Sequence, residues 1–277
     1  MQTHVAALAL ALLVLADYSH AQQPARSGLV KDQLRITGSL TVYPLVSDIA
    51  HRFEEQHPGV KIDVEAGGSA KAQIDVRVGT ADIGMLPRAL RSSDHDLFAY
   101  PIARDGIAAI VNHDNPVRGI TTDQLAGIIS GHISNWKALG GRDAPIRLAL
   151  REQPEGSTDM ILEHLKLRRA QLTSHTSINT TADAITFAAN APDGIALASI
   201  GQAERSARAG VRIKLLAYNG FPAESRTIQN HLYALSRPLT LITRRPPEGL
   251  QKQFIDYAMS KSVIDLQLKY GFVPYEQ

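Results

Sequence analysis

The chain has 277 residues, enough for one large core or two lobes of 100 to 150 residues. Its 29 Lys and Arg against 27 Asp and Glu leave a formal charge of +2, and the basic residues are scattered without a run or interleaved aromatics, which excludes a nucleic-acid patch. There is no Cys, so the chain has neither a disulfide framework nor a lipid-attachment cysteine.

Val5 to Ala16 is an apolar run of about 12 residues, short of the ~20 that span a bilayer. Ser19 and Ala21 behind it have the small side chains of a signal-peptidase site, although Met1 to His4 brings no Lys or Arg to the start of the leader. Residues 1–21 therefore read as a signal peptide cleaved before Gln22, with the mature chain free in a Gram-negative periplasm. No later segment is long and apolar enough for a membrane helix.

Leu34 to Thr37 is a short strand. A helix follows with Leu45, Val46, Ile49, Ala50 and Phe53 on one face, stopped at His57-Pro58-Gly59. Val60, Ile62 and Val64 alternate with Lys61 and Asp63 as a half-buried strand. Gly67-Gly68-Ser69 opens a second helix to about Val78, and Ala81 to Gly84 returns as a third strand. This order predicts an open, largely parallel α/β sheet.

The same alternation continues through a strand at Ile107 to Val111, a helix over Thr122 to Ile129 and a strand at Ile146 to Leu150, then a helix through Met160, Ile161, Leu162 and Leu165. Ile195 to Ala198 and Ile213 to Ala217 are further strands, and Leu232 to Leu235 with Leu239 to Ile242 reads as a strand pair. Two helical patterns close the chain, Leu250 to Met259 and Ser262 to Tyr270, the second capped by Gly271.

In such a sheet a ligand sits outside the carboxyl ends of the strands, where loops become helix N-termini with open amides and a positive dipole end. Three turns qualify: Gly38-Ser39-Leu40-Thr41, Gly67-Gly68-Ser69 and Gly156-Ser157-Thr158. Taken singly, each Ser or Thr reads as an ordinary N-cap. Together they point to an anion cradle. Asp82 on an apolar strand end is either a strand-edge residue bonded to a neighbouring loop or an acceptor for the proton of a protonated oxyanion. Arg151, directly after its strand, is either a surface ion-pair partner or a planar fork for two oxygens.

Gly38-Ser39-Leu40-Thr41-Val42-Tyr43-Pro44-Leu45, Gly67-Gly68-Ser69 and Gly79-Thr80-Ala81-Asp82-Ile83-Gly84 resemble the opening motifs of PstS-like binding proteins. The stretch from Gln124 through Ser134-Asn135-Trp136-Lys137 to Gly141 is similar to a signature of that family, as is the end, Phe254-Ile255-Asp256-Tyr257 and Tyr270-Gly271-Phe272-Val273-Pro274. The resemblance covers nearly the whole mature chain in order. It implies a type II periplasmic-binding fold, α/β and two-lobed, with a ligand cleft between the lobes. Lobe one is expected at 22–111 plus 218–277 and lobe two at 112–217.

It further implies a monomer without cofactor or metal that captures phosphate or a similar oxyanion and delivers it to an ABC transporter permease in the inner membrane. The residues carried over are Ser39, Leu40, Thr41, Ser69 and Asp82 on lobe one and Arg151, Gly156, Ser157 and Thr158 on lobe two. Leu40 stands where the family commonly has Ser or Thr, and Pro87 replaces a frequent Ser before Arg88. Matched without a gap, Glu155 occupies a phosphate-binding serine position. One inserted residue would instead turn it outward and leave Ser157 and Thr158 as donors.

An enzyme reading is weak. Ser134 and Lys137 match a Ser-x-x-Lys pattern, but the companion Ser-Asp-Asn and Lys-Thr-Gly motifs are absent. His51 and His57 lie too far apart for one metal-binding helix face, and Asp94-His95-Asp96 reads as a polar loop. A periplasmic sensor or adaptor with a diverged site and no coupling to transport is the alternative from another class.

Overall fold

The computed structural model describes residues 32–152 and 156–275, so the predicted leader and Glu155 lie outside the described residues. The first run is β1 (Gln33–Gly38), α1 (Tyr43–Gln56), β2 (Lys61–Ala66), α2 (Ser69–Val78) and β3 (Ile83–Leu86). The predicted helix face Leu45, Val46, Ile49, Ala50 and Phe53 is the buried face of α1. β1 pairs in parallel with both β2 and β3. Gly38 ends β1 at φ +145°, and a Cβ there would lie 2.4 Å from Met85 O, so only glycine lets the chain turn against β3 at this point.

The chain then enters β4 (Phe98–Asn112), followed by β5 (Gly119–Ile120), α3 (Thr122–Ile129), β6 (Arg147–Arg151), α4 (Ser157–Leu165), β7 (Thr176–Ile178) and α5 (Thr181–Asn190). After these come β8 (Gly194–Ser199), α6 (Ile200–Arg208), β9 (Ile213–Leu215), β10 (Ala217–Tyr218) and α7 (Ser225–Gln229). The chain ends with β11 (Ser236–Thr243), α8 (Gly249–Ala258), α9 (Ile264–Lys269) and β12 (Val273–Pro274). The main strand order is β2-β1-β3-β11-β4-β8-β6-β7. β6 pairs in parallel with β7 and β8, whereas β11 and β4 are antiparallel to each other and to their outer neighbours, so the sheet is mixed.

Two elements depart from the expectation. Leu232 to Leu235 is not a strand: Tyr233 and Leu235 are buried from a loop, the Tyr233 hydroxyl donates to Ile107 O, and β11 begins only at Ser236. Its partner is β4, which starts nine residues before the predicted Ile107. The apolar pattern breaks at Arg104-Asp105-Gly106, yet the strand continues through them.

The apolar residues divide into two main clusters. One gathers Leu34, Ile36, the α1 face, Ile102, Leu239, Leu241 and Phe254; the other gathers Ile107 to Val111, Trp136, Leu150, Leu197, Tyr218 and Leu235. β4 passes from the first cluster to the second, and the chain passes back at the start of β11, between Leu235 and Leu239. These are the two lobes of the fold, joined by paired antiparallel strands. Among the described residues no helix is long and apolar enough to cross a membrane.

Candidate functional site

β6, β7 and β8 run parallel, so their carboxyl ends share one edge of the sheet, and each runs on into a helix N-terminus. Arg151 ends β6 and Ser157 opens α4. Asn179, Thr180 and Thr181 lie between β7 and α5, and Ser199 joins β8 to α6. Across from them stand Leu40, Thr41 and Pro44 at the start of α1. These residues line a cavity of about 320 Å³ whose other walls are Asp105, Ile107, Arg237, Gln202, Ala182 and Phe272.

Asp105 and Arg237 are register partners on β4 and β11, where the chain passes between lobes. Both are buried, at 1% and 6% exposure, with Arg237 Nη2 3.4 Å from Asp105 Oδ2. Ser199 Oγ donates to Asp105 Oδ1 at 2.7 Å. Burial pushes the Asp105 carboxyl above the ordinary carboxylate range, against the pull of Arg237, Ser199 and Arg151. Burial also lowers the Arg151 pKa, and the like charge of Arg237 adds to it, while Asp105 and Asp183 oppose the shift. Among the described residues, the guanidinium groups of Arg151 and Arg237 and the carboxylate of Asp105 line the same small cavity.

Helix starts supply the neutral groups. Ser157 is 2% exposed and its hydroxyl has no hydrogen-bond partner among the described residues. Thr158 Oγ1 accepts from Arg151 N at 3.1 Å and so fixes the end of β6 relative to α4. Gly156 O accepts from Arg237 Nη1 at 3.4 Å, tying the α4 start to the interlobe strand. Beyond that contact a larger cavity of about 580 Å³ opens between Pro87 to Arg91 and α4, and the Arg91–Glu163 ion pair spans it at 3.3 Å.

A family model described as a PBP superfamily domain matches residues 23–262. PstS, the phosphate-binding protein of Bacillus subtilis, is 30% identical over 251 residues, 87% of this chain and 80% of that protein. The chain belongs to the PstS-like proteins of the PBP superfamily. PstS of Borreliella burgdorferi is 27% identical over 254 residues, covering 86% and 88% of the two chains. Among solved structures, an ABC-type phosphate transport receptor of Vibrio cholerae matches with TM-score 0.78 at 28% identity, over 88% of this chain and all (100%) of that one. A Clostridium perfringens substrate-binding protein assigned to phosphate ABC transport, solved with bound phosphate, matches with TM-score 0.74, 28% identity and the same coverage.

The PstS-like motifs fall on the cavity unevenly. Leu40, Thr41, Arg151 and Ser157 line it. Ser39 and Ser69 are buried and do not line it: Ser39 Oγ accepts from Thr41 N at 3.1 Å, and the turn before Ser69 is held by Gly67 N and Gly68 N donating to Gly38 O. Gly156 and Thr158 act on Arg237 and Arg151 as described. Glu155 lies outside the described residues.

Asp82 is elsewhere. It precedes β3, its Oδ2 accepts from Arg35 N at 2.8 Å, and Arg35 lies four residues before Ser39, about 13 Å along β1 at ~3.3 Å per residue. The cavity is at the other end of that strand, so Asp82 does not line it, and its carboxylate binds the backbone of β1 where the alternative reading expected a neighbouring loop. The carboxylate in the cavity is Asp105. Neither it nor its partner Arg237 stands in a motif, and Ser199, Thr180 and Gln202 were missed with them. The available signal was a charged residue in the middle of an apolar run, between Ile102-Ala103 and Ile107-Ala108.

Ser134 and Lys137 are both exposed, and Lys137 Nζ pairs with Asp143 at 3.0 Å. Asn135 Oδ1 accepts from Lys137 N at 2.9 Å, which makes the stretch a capped turn. Asp94 is buried against Arg88 at 2.9 Å and Asp96 pairs with Arg77 at 2.8 Å, so this polar loop is an ion-pair network.

Proposed function

We propose that the protein captures phosphate in this cleft for ABC-type import. The observation that carries the reading is the buried Asp105 facing a cavity with Arg151, Arg237 and the unpartnered Ser157 hydroxyl. Near neutral pH phosphate has both charged oxygens and a P–OH group. The guanidinium groups and Ser157 suit the oxygens, and the carboxylate suits the proton, whereas sulfate would present Asp105 with a second negative charge. The names of the relatives and the phosphate in the Clostridium structure support the same ligand.

The direct test is calorimetry on ligand-stripped protein with phosphate and sulfate, for the parent and for Ser157→Ala. Hydrogen bonds to charged groups contribute ~1.5–3 kcal/mol, so the variant should bind phosphate about tenfold to a hundredfold more weakly. Its melting temperature without ligand should not fall, because among the described residues the lost hydroxyl has no hydrogen-bond partner. A fall in stability without a fall in affinity would make Ser157 structural and the reading wrong.

The proposal includes lobe closure. The apolar clusters support crossings near Gly106 in β4 and Ser236 in β11, earlier and later respectively than residues 111 and 218, because Ile107 to Val111 and Tyr218 to Leu235 pack with lobe two. Two crossings make a hinge, and an anion held by groups from both lobes should draw them together. Saturating phosphate is expected to contract the small-angle scattering profile; an unchanged profile counts against closure.

We further propose that the chain is exported with cleavage after Ala21, works as a periplasmic monomer that presents its ligand to an inner-membrane permease, and turns nothing over. Mass analysis of the periplasmic fraction should give a chain beginning at Gln22. A chain still starting at Met1, or one confined to the membrane pellet, would defeat this.

A further inference from the structure

The cavity is not lined by donors on every side. Leu40, at the start of α1, is 46% exposed and turns apolar surface toward the anion groups, together with Pro44, Ile107 and Phe272. Phe272 is brought there by a close contact: Gly201 at the start of α6 packs on Gly271 so tightly that a Cβ on Gly201 would lie 1.8 Å from Gly271 O. The apolar wall is therefore built by the fold and not left over from a loop.

An oxygen of a bare oxyanion pressed against that wall would lose water and gain no donor in exchange, which is costly for a charged group. A carbon substituent in its place carries no such cost. There is room for one. A water takes ~30 Å³ of liquid, so an orthophosphate fills on the order of 100 Å³, a fraction of the roughly 320 Å³ available.

Resting on the oxyanion reading of the cleft, we propose that the site also accepts organophosphonates, with the phosphoryl group between Arg151, Arg237 and Asp105 and the carbon substituent against Leu40. Asp105 decides between the two classes of substituted phosphoryl compound. A phosphate monoester loses its second proton at about pH 6 and reaches the cleft as a dianion without a hydrogen for the carboxylate. A phosphonate keeps that proton to higher pH, because carbon withdraws less electron density from phosphorus than oxygen does. Leu40 is then the specificity-determining residue.

The test is calorimetry on the ligand-stripped chain with orthophosphate, methylphosphonate, ethylphosphonate and methyl phosphate, repeated on Leu40→Ser. Leu40 is partly exposed, so the variant should fold. Both phosphonates are expected within about a hundredfold of orthophosphate and ahead of methyl phosphate. The ratio of orthophosphate to ethylphosphonate affinity should rise by about tenfold or more in Leu40→Ser, the scale of one hydrophobic contact. Orthophosphate binding with phosphonates beyond that range, methyl phosphate bound ahead of methylphosphonate, or an unmoved ratio in the variant would overturn this inference alone. Binding of none of the four ligands would overturn the oxyanion reading together with it.

Discussion

Asp105→Asn should collapse the discrimination between phosphate and sulfate while the protein stays folded. In the parent, a sulfate held by Arg151 and Arg237 would face the Asp105 carboxylate. Two unit charges ~4 Å apart interact by about 4 kcal/mol at an effective dielectric of ~20, equivalent to about a thousandfold in affinity. An asparagine of the same shape removes the charge, can still accept from Ser199, and can donate its amide to a sulfate oxygen. Sulfate affinity should therefore rise by about a hundredfold to a thousandfold in the variant, with a smaller change for phosphate, which finds an acceptor in either residue.

Stability is governed by two opposing effects: removing one member of a buried pair leaves Arg237 less well compensated, but the ionised carboxylate was itself expensive to bury. Burial raises the Asp105 pKa, so replacing the carboxylate by a neutral amide removes a desolvation cost that offsets part of the ~3–5 kcal/mol of a broken buried pair. The pH dependence has a definite sign. With the folded value above the unfolded one, the stability linked to Asp105 is fully present below the unfolded pKa and is lost as pH rises through the folded value. Protonation at falling pH mimics the asparagine, so sulfate affinity of the parent should rise toward acid while that of the variant stays flat. A variant that excludes sulfate as strictly as the parent at every pH would remove Asp105 from the selectivity argument.

Local chemistry made the helix faces and turns readable. Leu45, Val46, Ile49, Ala50 and Phe53 at helical spacing can bury only one way, and Thr121 with Gln124 caps α3 where the Thr122 to Ile129 pattern starts. Ser157 and Thr41 were likewise visible as hydroxyl residues at helix starts. What was not visible depends on pairing across the chain. Asp105 and Arg237 are 132 residues apart, and each interrupts an apolar pattern, so each reads as the end of a strand. Only the antiparallel register of β4 and β11 brings them together and makes a buried charge tolerable. Asp82 misled for the converse reason: it sits in a recognisable motif, but on the entry side of β3, and strand direction decides which end faces the ligand.

Arg151 should be the largest single contributor to affinity. Its backbone amide donates to the Thr158 hydroxyl, which fixes the end of β6 from which Arg151 lines the cavity. Burial and the like charge of Arg237 disfavour its charge, while Asp105 and Asp183 favour it. An anion between the two arginines offsets their mutual repulsion, and at ~1.5–3 kcal/mol for each charge-assisted hydrogen bond a two-pronged contact contributes about 3–6 kcal/mol. Arg151→Met, which keeps the length and apolar stem of the side chain, should therefore lower phosphate affinity by at least about a hundredfold. Arg151→Lys separates charge from geometry: an ammonium keeps the attraction but not the planar fork, and should recover only part of the loss. Calorimetry on the three proteins at two salt concentrations would measure this, with little salt dependence expected because a buried contact is weakly screened. Full recovery by lysine would mean that charge alone is read. An unchanged affinity in Arg151→Met would mean that Arg151 holds the end of β6 in place and that the ligand is bound by Arg237 and the helix starts.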